Sequence, residues 1–281
     1  MDSNESITQT RWQRAPIIIV GAHRSGTTAT ARALERLGVQ IGQKLDSHRE
    51  SKALQRLHDN YLQRLGAAWH SPGPFLNWIQ TPEGERECFE YLCRHTEHEF
   101  TRIFGYRKNP RGLWLVARLK MGSVWGWKEP RTTLFGSLWV QLFPNARVID
   151  VIRHPLAVAT SIRRRELNFR AAGDSPVPKL DQLDYCLRLA LTYVDLGERL
   201  GSQARHYRRV RFEEIQANPA QALTELAEFC GLRPTSTGLI KSAASIRPEN
   251  SKDSQRLAEE EGRELVSHYP AIEKLGYELP N

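Results

Sequence analysis

Residues 17–39 read IIIVGAHRSGTTATARALERLGV. Four consecutive aliphatic residues, entered by Pro16, predict a buried strand. Gly21 and Gly26 bound a tight turn. The run from Thr27 then reads as a helix whose small residues let it pack close to the strand, with Gly38 ending it. A strand, a glycine-bounded loop and a helix in that order make an anion cradle: loop amides and the helix N-terminus converge on one point.

The same alternation continues along the chain. A helix is expected over 50–69, with Leu54, Leu57, Tyr61 and Leu65 on one face, followed by a break at HSPGPF (70–75). A third helix is expected over 83–105. SVWGWKEPRT (123–132) reads as a short strand running into a turn, since Pro130 pushes Glu129 out of helical geometry. Residues 133–143 read as helix, 144–155 as a second β-branched strand, and 155–167 as a helix with Pro155 in its first turn. A Gly- and Pro-rich loop (171–180) precedes an amphipathic helix over 181–200. HYRRVRFEEI (206–215) is expected to be a strand. The next helix has Asn218 as cap and Pro219 in its first turn, and closes at Gly231. The tail reads as polar, then weakly helical. Strands alternating with helices imply an α/β fold: a central parallel sheet flanked by helices, three layers in all, of the P-loop type. Ligands of such sheets bind at the carboxyl ends of strands, where 21–28, 128–131 and 153–161 fall. Residues 1–14 read as a disordered leader and 15–281 as one domain.

The 281 residues carry a net charge of +8 and a pI near 9.5, which suggests an anionic partner. The arginines gather at two motifs after strands and are not interleaved with aromatics, so nucleic acid is not expected. No apolar run approaches the length of a membrane span, and the N-terminus lacks a signal-peptide pattern. Cys88, Cys93, Cys186 and Cys230 have no metal-ligand spacing; idle thiols fit a reducing, cytoplasmic setting.

An ATP loop of the form G-x-x-x-x-G-K-[ST] needs lysine after its second glycine to reach the terminal phosphates, and a hydroxyl for magnesium. Here Thr27 holds the lysine position and Arg24 is the cation instead. A forked guanidinium suits a bridging oxygen and a terminal oxyanion together. No acidic residue closes a strand as a magnesium ligand, since Asp150 lies inside one. A phosphoryl donor calls for a metal, whereas a singly charged sulfuryl group is served by arginine, lysine and amides.

GAHRSGTTATARALERLGVQIG (21–42) resembles the 5′-phosphosulfate loop of sulfotransferases that use 3′-phosphoadenosine 5′-phosphosulfate (PAPS), above all bacterial members with a G-M-H-R-S-G-T-S loop. WGWKEPRTTLFGSLWVQLFPNARVIDVIRHPLAVATSIRRRE (125–166) is similar to their W-K-D-P-R segment and 3′-phosphate motif. VRFEEIQANPAQALTELAEFCGL (210–232) resembles their Y-E-D-L…F-L-G-L close. The resemblance implies that His23, Arg24, Ser25, Gly26, Thr27 and Thr28 bind the nucleotide, with Arg24, Ser25, Thr27 and Thr28 on the 5′-phosphosulfate. It places Arg153 and Ser161 on the 3′-phosphate, and Lys128 beside the breaking S–O bond. Glu129 replaces the commoner aspartate, and Arg131 is its natural partner. The product would be 3′-phosphoadenosine 5′-phosphate (PAP), and no metal is expected. In the carbohydrate and tyrosylprotein branches a glutamate near the start of the next helix is the general base. Glu50 lies in that region, and His48 is the rival, since histidine titrates near neutrality unaided.

The acceptor is expected to be a hydroxyl on a small molecule or glycan, with carbohydrate or glycolipid favoured through the resemblance. Trp69 and Trp78 flank the Pro-Gly stretch as candidate acceptor-cleft residues. Residues 246–254 are a candidate loop over the nucleotide, with Arg247, Asn250 and Ser251 as contacts. The alternatives are a P-loop kinase or NTPase, against which the missing loop lysine argues, and a non-enzymatic polyanion binder.

Overall fold

The computed structural model describes residues 15–42, 45–103, 122–246 and 265–277, with backbone alone for 97–103. β1 (Ile17–Val20) is buried at every residue, as a strand covered on both faces must be. β2 (Gly126–Lys128), β3 (Arg147–Ile152) and β4 (His206–Arg211) join it in the order β2-β1-β3-β4. All three pairings are parallel, with Ile18 opposite Trp127 and Val148, and Asp150 opposite Arg209. The chain leaves β1 for one edge and later returns to its other side, so a crevice opens beyond the strand ends near β1 and β3.

Alternation along β1 builds two cores. Ile18 and Val20 face one cluster together with Trp125, Trp127, Trp139 and Leu187. That layer holds α2 (Lys52–Arg64), α3 (Gly73–Ile79), α4 (Pro82–Ile103), α5 (Gly136–Leu142), α6 (Pro155–Ala171) and α7 (Leu183–Gln203). Ile17 and Ile19 face the other cluster, with Leu34, Val151, Val210 and Leu226. Here lie α1 (Thr27–Arg36), α8 (Phe212–Ala217), α9 (Pro219–Phe229) and α10 (Ser236–Ala243). A single turn, α11 (Ala271–Lys274), follows near the end. No helix among the described residues is long and apolar enough to cross a membrane.

Several boundaries differ from the sequence expectation. The break at 70–75 is where α3 begins, because Pro74 sits in its first turn, where a missing amide costs nothing. The strand expected over 206–215 ends at Arg211, and Phe212 opens α8. A 3-10 turn over Pro130–Thr133 precedes α5. Asn218 stands before α9, yet its side chain makes no capping bond. The helix α10 was not legible, being short and weakly amphipathic. The expected leader (1–14), the end of the third helix (104–105) and the loop residues 247–254 lie outside the described residues.

β2 approaches β1 so closely that a Cβ on Gly126 would stand 1.9 Å from the Ile17 carbonyl oxygen. Gly126→Ala must push the two strands apart. Urea denaturation should show a loss of about 1–3 kcal/mol, the usual cost of overpacking, although alanine is the better residue for an ordinary strand.

Candidate active site

The loop after β1 is held from below. The Gly21 amide donates to Thr133 Oγ1 at 3.0 Å, and Thr133 donates back to the Gly21 carbonyl at 3.3 Å. Gly26 precedes α1 with φ 100°, and a Cβ there would strike the Phe212 ring at 2.3 Å. Both facts demand glycine. Among the described residues no side chain caps α1, so its first-turn amides remain for a ligand carrying negative charge.

Arg24 occupies the left-handed region at φ 73°, a conformation costly for a side-chain-bearing residue and kept where the surroundings impose it. Its Nε donates to Ser161 Oγ at 2.9 Å. Arg153, just past β3, donates from Nη1 to the Arg24 carbonyl at 3.4 Å. The three residues assigned to phosphate-type groups therefore meet, although Arg24 and Ser161 were expected to serve different ones. Ser25 departs from expectation. It is 1% exposed, and its amide and hydroxyl both bond to the Ala22 carbonyl, at 3.2 and 2.9 Å. Its hydroxyl shapes the loop and does not face the cavity.

The next segment closes over α1. Asp46 Oδ1 accepts from the amides of His48 (2.8 Å) and Glu50 (2.9 Å). Thr28 donates to the His48 carbonyl at 3.2 Å, and Arg32 to the Ser47 carbonyl at 2.6 Å. Ser51 caps α2 by accepting from the Ala53 amide. This folding delivers Glu50, 6% exposed, to Lys128 at the end of β2, with Oε1 to Nζ at 2.5 Å. Gln55 donates to the other oxygen at 2.8 Å. Burial lowers the Lys128 pKa, and the Glu50 carboxylate partly offsets this. The rival base, His48, stands exposed at the rim and uses its backbone to hold the loop.

Beneath Lys128 lies a buried network legible in sequence only at Arg131. Glu129 is fully buried: Oε1 accepts from Arg131 Nη1 at 2.8 Å, and Oε2 from His58 Nδ1 at 2.6 Å. Trp139 Nε1 donates to His58 Nε2 at 3.1 Å, which places the imidazole proton on Nδ1. Arg131 Nε reaches Asp59 at 2.7 Å. Burial alone would raise the Glu129 pKa, but the His58 hydrogen bond and the Arg131 charge outweigh it and hold the carboxyl far below its usual range. His58 escaped sequence reading because a histidine inside an amphipathic helix carries no distinguishing signal. Asp150 is likewise fully buried and tied to Tyr207 (2.7 Å) and Arg209 (2.9 Å), so its role is in the sheet.

These elements enclose a cavity of about 400 Å³ lined by His23, Arg24, Thr27, Thr28, Glu50 and Lys128, with Arg153 and Phe212 among further residues. Trp69 also lines it, and its ring lies 4.1 Å from that of His23. Trp78 does not; it donates to Tyr61 at 3.3 Å. Burial, then the Arg131 charge, pushes the His23 pKa well below the ordinary histidine value. The arrangement offers helix amides and two arginines for an anionic group, and a carboxylate beside a buried ammonium for proton transfer.

Such a cradle on a parallel sheet defines a P-loop-type group-transfer enzyme. The chain matches the Sulfotransferase family over residues 16–236, and it belongs to that family. The family's activity is PAPS-dependent sulfuryl transfer. The structure is similar to sulfotransferase STF9 from Mycobacterium avium, with 15% identity, 95% of this chain and 78% of that one covered, and a TM-score of 0.51. It is also similar to a sulfotransferase from Alicyclobacillus acidocaldarius, at 16% identity over 92% and 95% of the two chains, with a TM-score of 0.49. At such identities the first likeness speaks to the fold alone. No curated protein matches the chain.

Glu129 should dominate the acid limb of stability. Its folded pKa is depressed, so the stabilisation is fully present above the unfolded glutamate value of about 4.3 and is lost as pH falls toward the folded pKa. Glu129→Gln should cost about 3–5 kcal/mol at pH 7, because Arg131 loses its buried counter-charge. In denaturation measured from pH 7 down to 3, the variant's stability should fall less steeply than the wild type's.

Proposed function

We propose that this chain transfers a sulfuryl group from PAPS to an acceptor hydroxyl. The observation that carries the reading is the meeting of Arg24, Ser161 and Arg153 above the uncapped N-terminus of α1. Guanidinium groups and backbone amides gather there, as a donor with a 5′-phosphosulfate and a 3′-phosphate requires. Arg153 and Ser161 answer the 3′-phosphate, and the α1 amides with Arg24, Thr27 and Thr28 answer the phosphosulfate. In this reading the donor's 3′-phosphate competes for Ser161, freeing Arg24 for the phosphosulfate.

The chemistry follows from the Glu50–Lys128 pair. Glu50 accepts the acceptor's hydroxyl proton as the oxygen attacks sulfur. The bond between sulfur and the bridging oxygen breaks, and its electron pair leaves with PAP. Lys128 stabilises the charge that develops on that oxygen. Glu50 already has one oxygen on Lys128, so proton uptake and charge stabilisation are coupled through a single contact. The acceptor class in this proposal is a carbohydrate or glycolipid hydroxyl, on the resemblance of the loop. A single domain over 15–281 is part of it, supported by cores on both faces of one sheet. So is a cytoplasmic setting, supported by four free thiols.

Two measurements test this. In calorimetry, PAP should bind far more tightly than ADP with magnesium, and Arg153→Ala should weaken PAP much more than adenosine 5′-phosphate. ADP binding as tight as PAP would overturn the donor assignment. Glu50→Gln, which keeps an acceptor for Lys128, should lower kcat by about 10²–10⁴ with little change in PAP affinity; unchanged kcat would remove Glu50 as base.

A further inference from the structure

The cavity's cations can be followed one by one. Lys128 is paired with Glu50, and Arg131 with Glu129 and Asp59. Arg32 reaches the Ser47 carbonyl, Arg24 reaches Ser161, and Arg153 reaches the Arg24 carbonyl. Arg165 also lines the cavity. Among the described residues it has neither a carboxylate nor a hydrogen-bond acceptor. Its guanidinium carbon sits 5.9 Å from the Trp69 ring centroid and 5.1 Å from that of Phe169. It lies one helical turn beyond Ser161 on α6, within electrostatic range of Arg24 first, then of Glu50 and Arg131. Arg165 and Trp69 thus share one stretch of the cavity wall.

The surroundings form a built platform. Tyr193 donates to the Trp69 carbonyl at 3.0 Å, and Tyr185 to the His70 carbonyl at 2.7 Å. α7 therefore fixes the turn that presents Trp69. His23 packs on the Trp69 ring, and its Nε2 is buried without a partner among the described residues. Phe169 is exposed beside Arg165 and extends the apolar edge. One uncommitted guanidinium, the Trp69 face and one orphaned imidazole nitrogen line the cavity that also holds Glu50, with Phe169 beside Arg165. Burial keeps His23 neutral near pH 7, so Arg165 supplies the positive charge at this end.

Resting on the sulfuryl-transfer reading, we propose that Arg165, Trp69 and His23 form the acceptor subsite and select a hydroxyl compound that carries an anionic group beside a ring. Arg165 pairs with the anionic group, the ring lies against Trp69, and His23 Nε2 takes a hydroxyl hydrogen bond. A guanidinium flanked by aromatic faces and partly withdrawn from water rewards a carboxylate more than an exposed one would.

Phenyl β-D-glucuronide and phenyl β-D-glucoside differ only at C6, a carboxylate in one and a hydroxymethyl group in the other, and serve as probes. Titrated into the PAP-loaded full chain, the glucuronide should bind at least about tenfold more tightly, the order of a charge-assisted bond. Arg165→Gln should bring the two probes within about twofold of each other, with PAP affinity unchanged and Arg165→Lys partly restoring the preference. Trp69→Ala should weaken both probes. Equal binding of the two by the wild type, or binding of neither, overturns the proposal. So does an Arg165→Gln variant that loses PAP affinity as steeply as glucuronide affinity, which assigns Arg165 to the donor. A wild type that binds no PAP overturns the donor reading instead, and the probe preference is then read on the nucleotide-free chain.

Discussion

A buried ammonium needs a counter-charge, and in this protein that need organises the site. Lys128 ends β2 at 1% exposure. An unpaired charge there would be strongly destabilising, so Glu50 must be delivered from a segment that precedes β2 by a long excursion. The delivery explains the fold of 45–51: Asp46 gathers two amides, Arg49 takes a left-handed φ of 62° and pairs with Glu35, and Ser51 starts α2. Thr28 and Arg32 then fasten the segment to α1. The anion loop, its helix and the proton acceptor are consequently one mechanical unit.

A second buried unit supports the first. Glu129 follows Lys128 in the chain and holds Arg131 and His58, and the Glu129 side chain also accepts from the Arg131 amide at 3.2 Å. The turn that leaves β2 is thereby locked, and Thr133 at its end supports the Gly21 amide. In this floor the buried carboxylates and cations hold one another: Lys128 with Glu50, and Glu129 with Arg131 and His58.

Much of this was legible in sequence because it is local. The unbroken aliphatic run 17–20 gives a strand buried on both faces, and GAHRSGTT gives the loop, since a tight turn into a helix leaves few other options. Arg153 and Ser161 were paired by the resemblance, with a strand end and the next helix fitting their spacing. What sequence did not reveal is tertiary. Nothing in the string says that Ser25 turns inward to Ala22, that Arg24 spans to Ser161, or that His58 lies under Glu129. The last two contacts join segments far apart in the chain, the first turns on one hydroxyl's rotamer, and all use residue types common on ordinary helices and loops. The start of α3 at the Pro-Gly stretch was misread for a related reason: proline breaks a helix interior but suits its first turn.

The central claim is that the β1–α1 loop and the β3–α6 junction hold the two ends of one 3′-phosphorylated nucleotide. A crystal structure of the PAP complex tests it most directly. The 5′-phosphate is expected within hydrogen-bond distance of the Gly26–Thr28 amides, and the 3′-phosphate against Arg153 and Ser161, with Arg24 released from Ser161. A nucleotide bound in the opposite sense, or outside the cavity above α1, would contradict it.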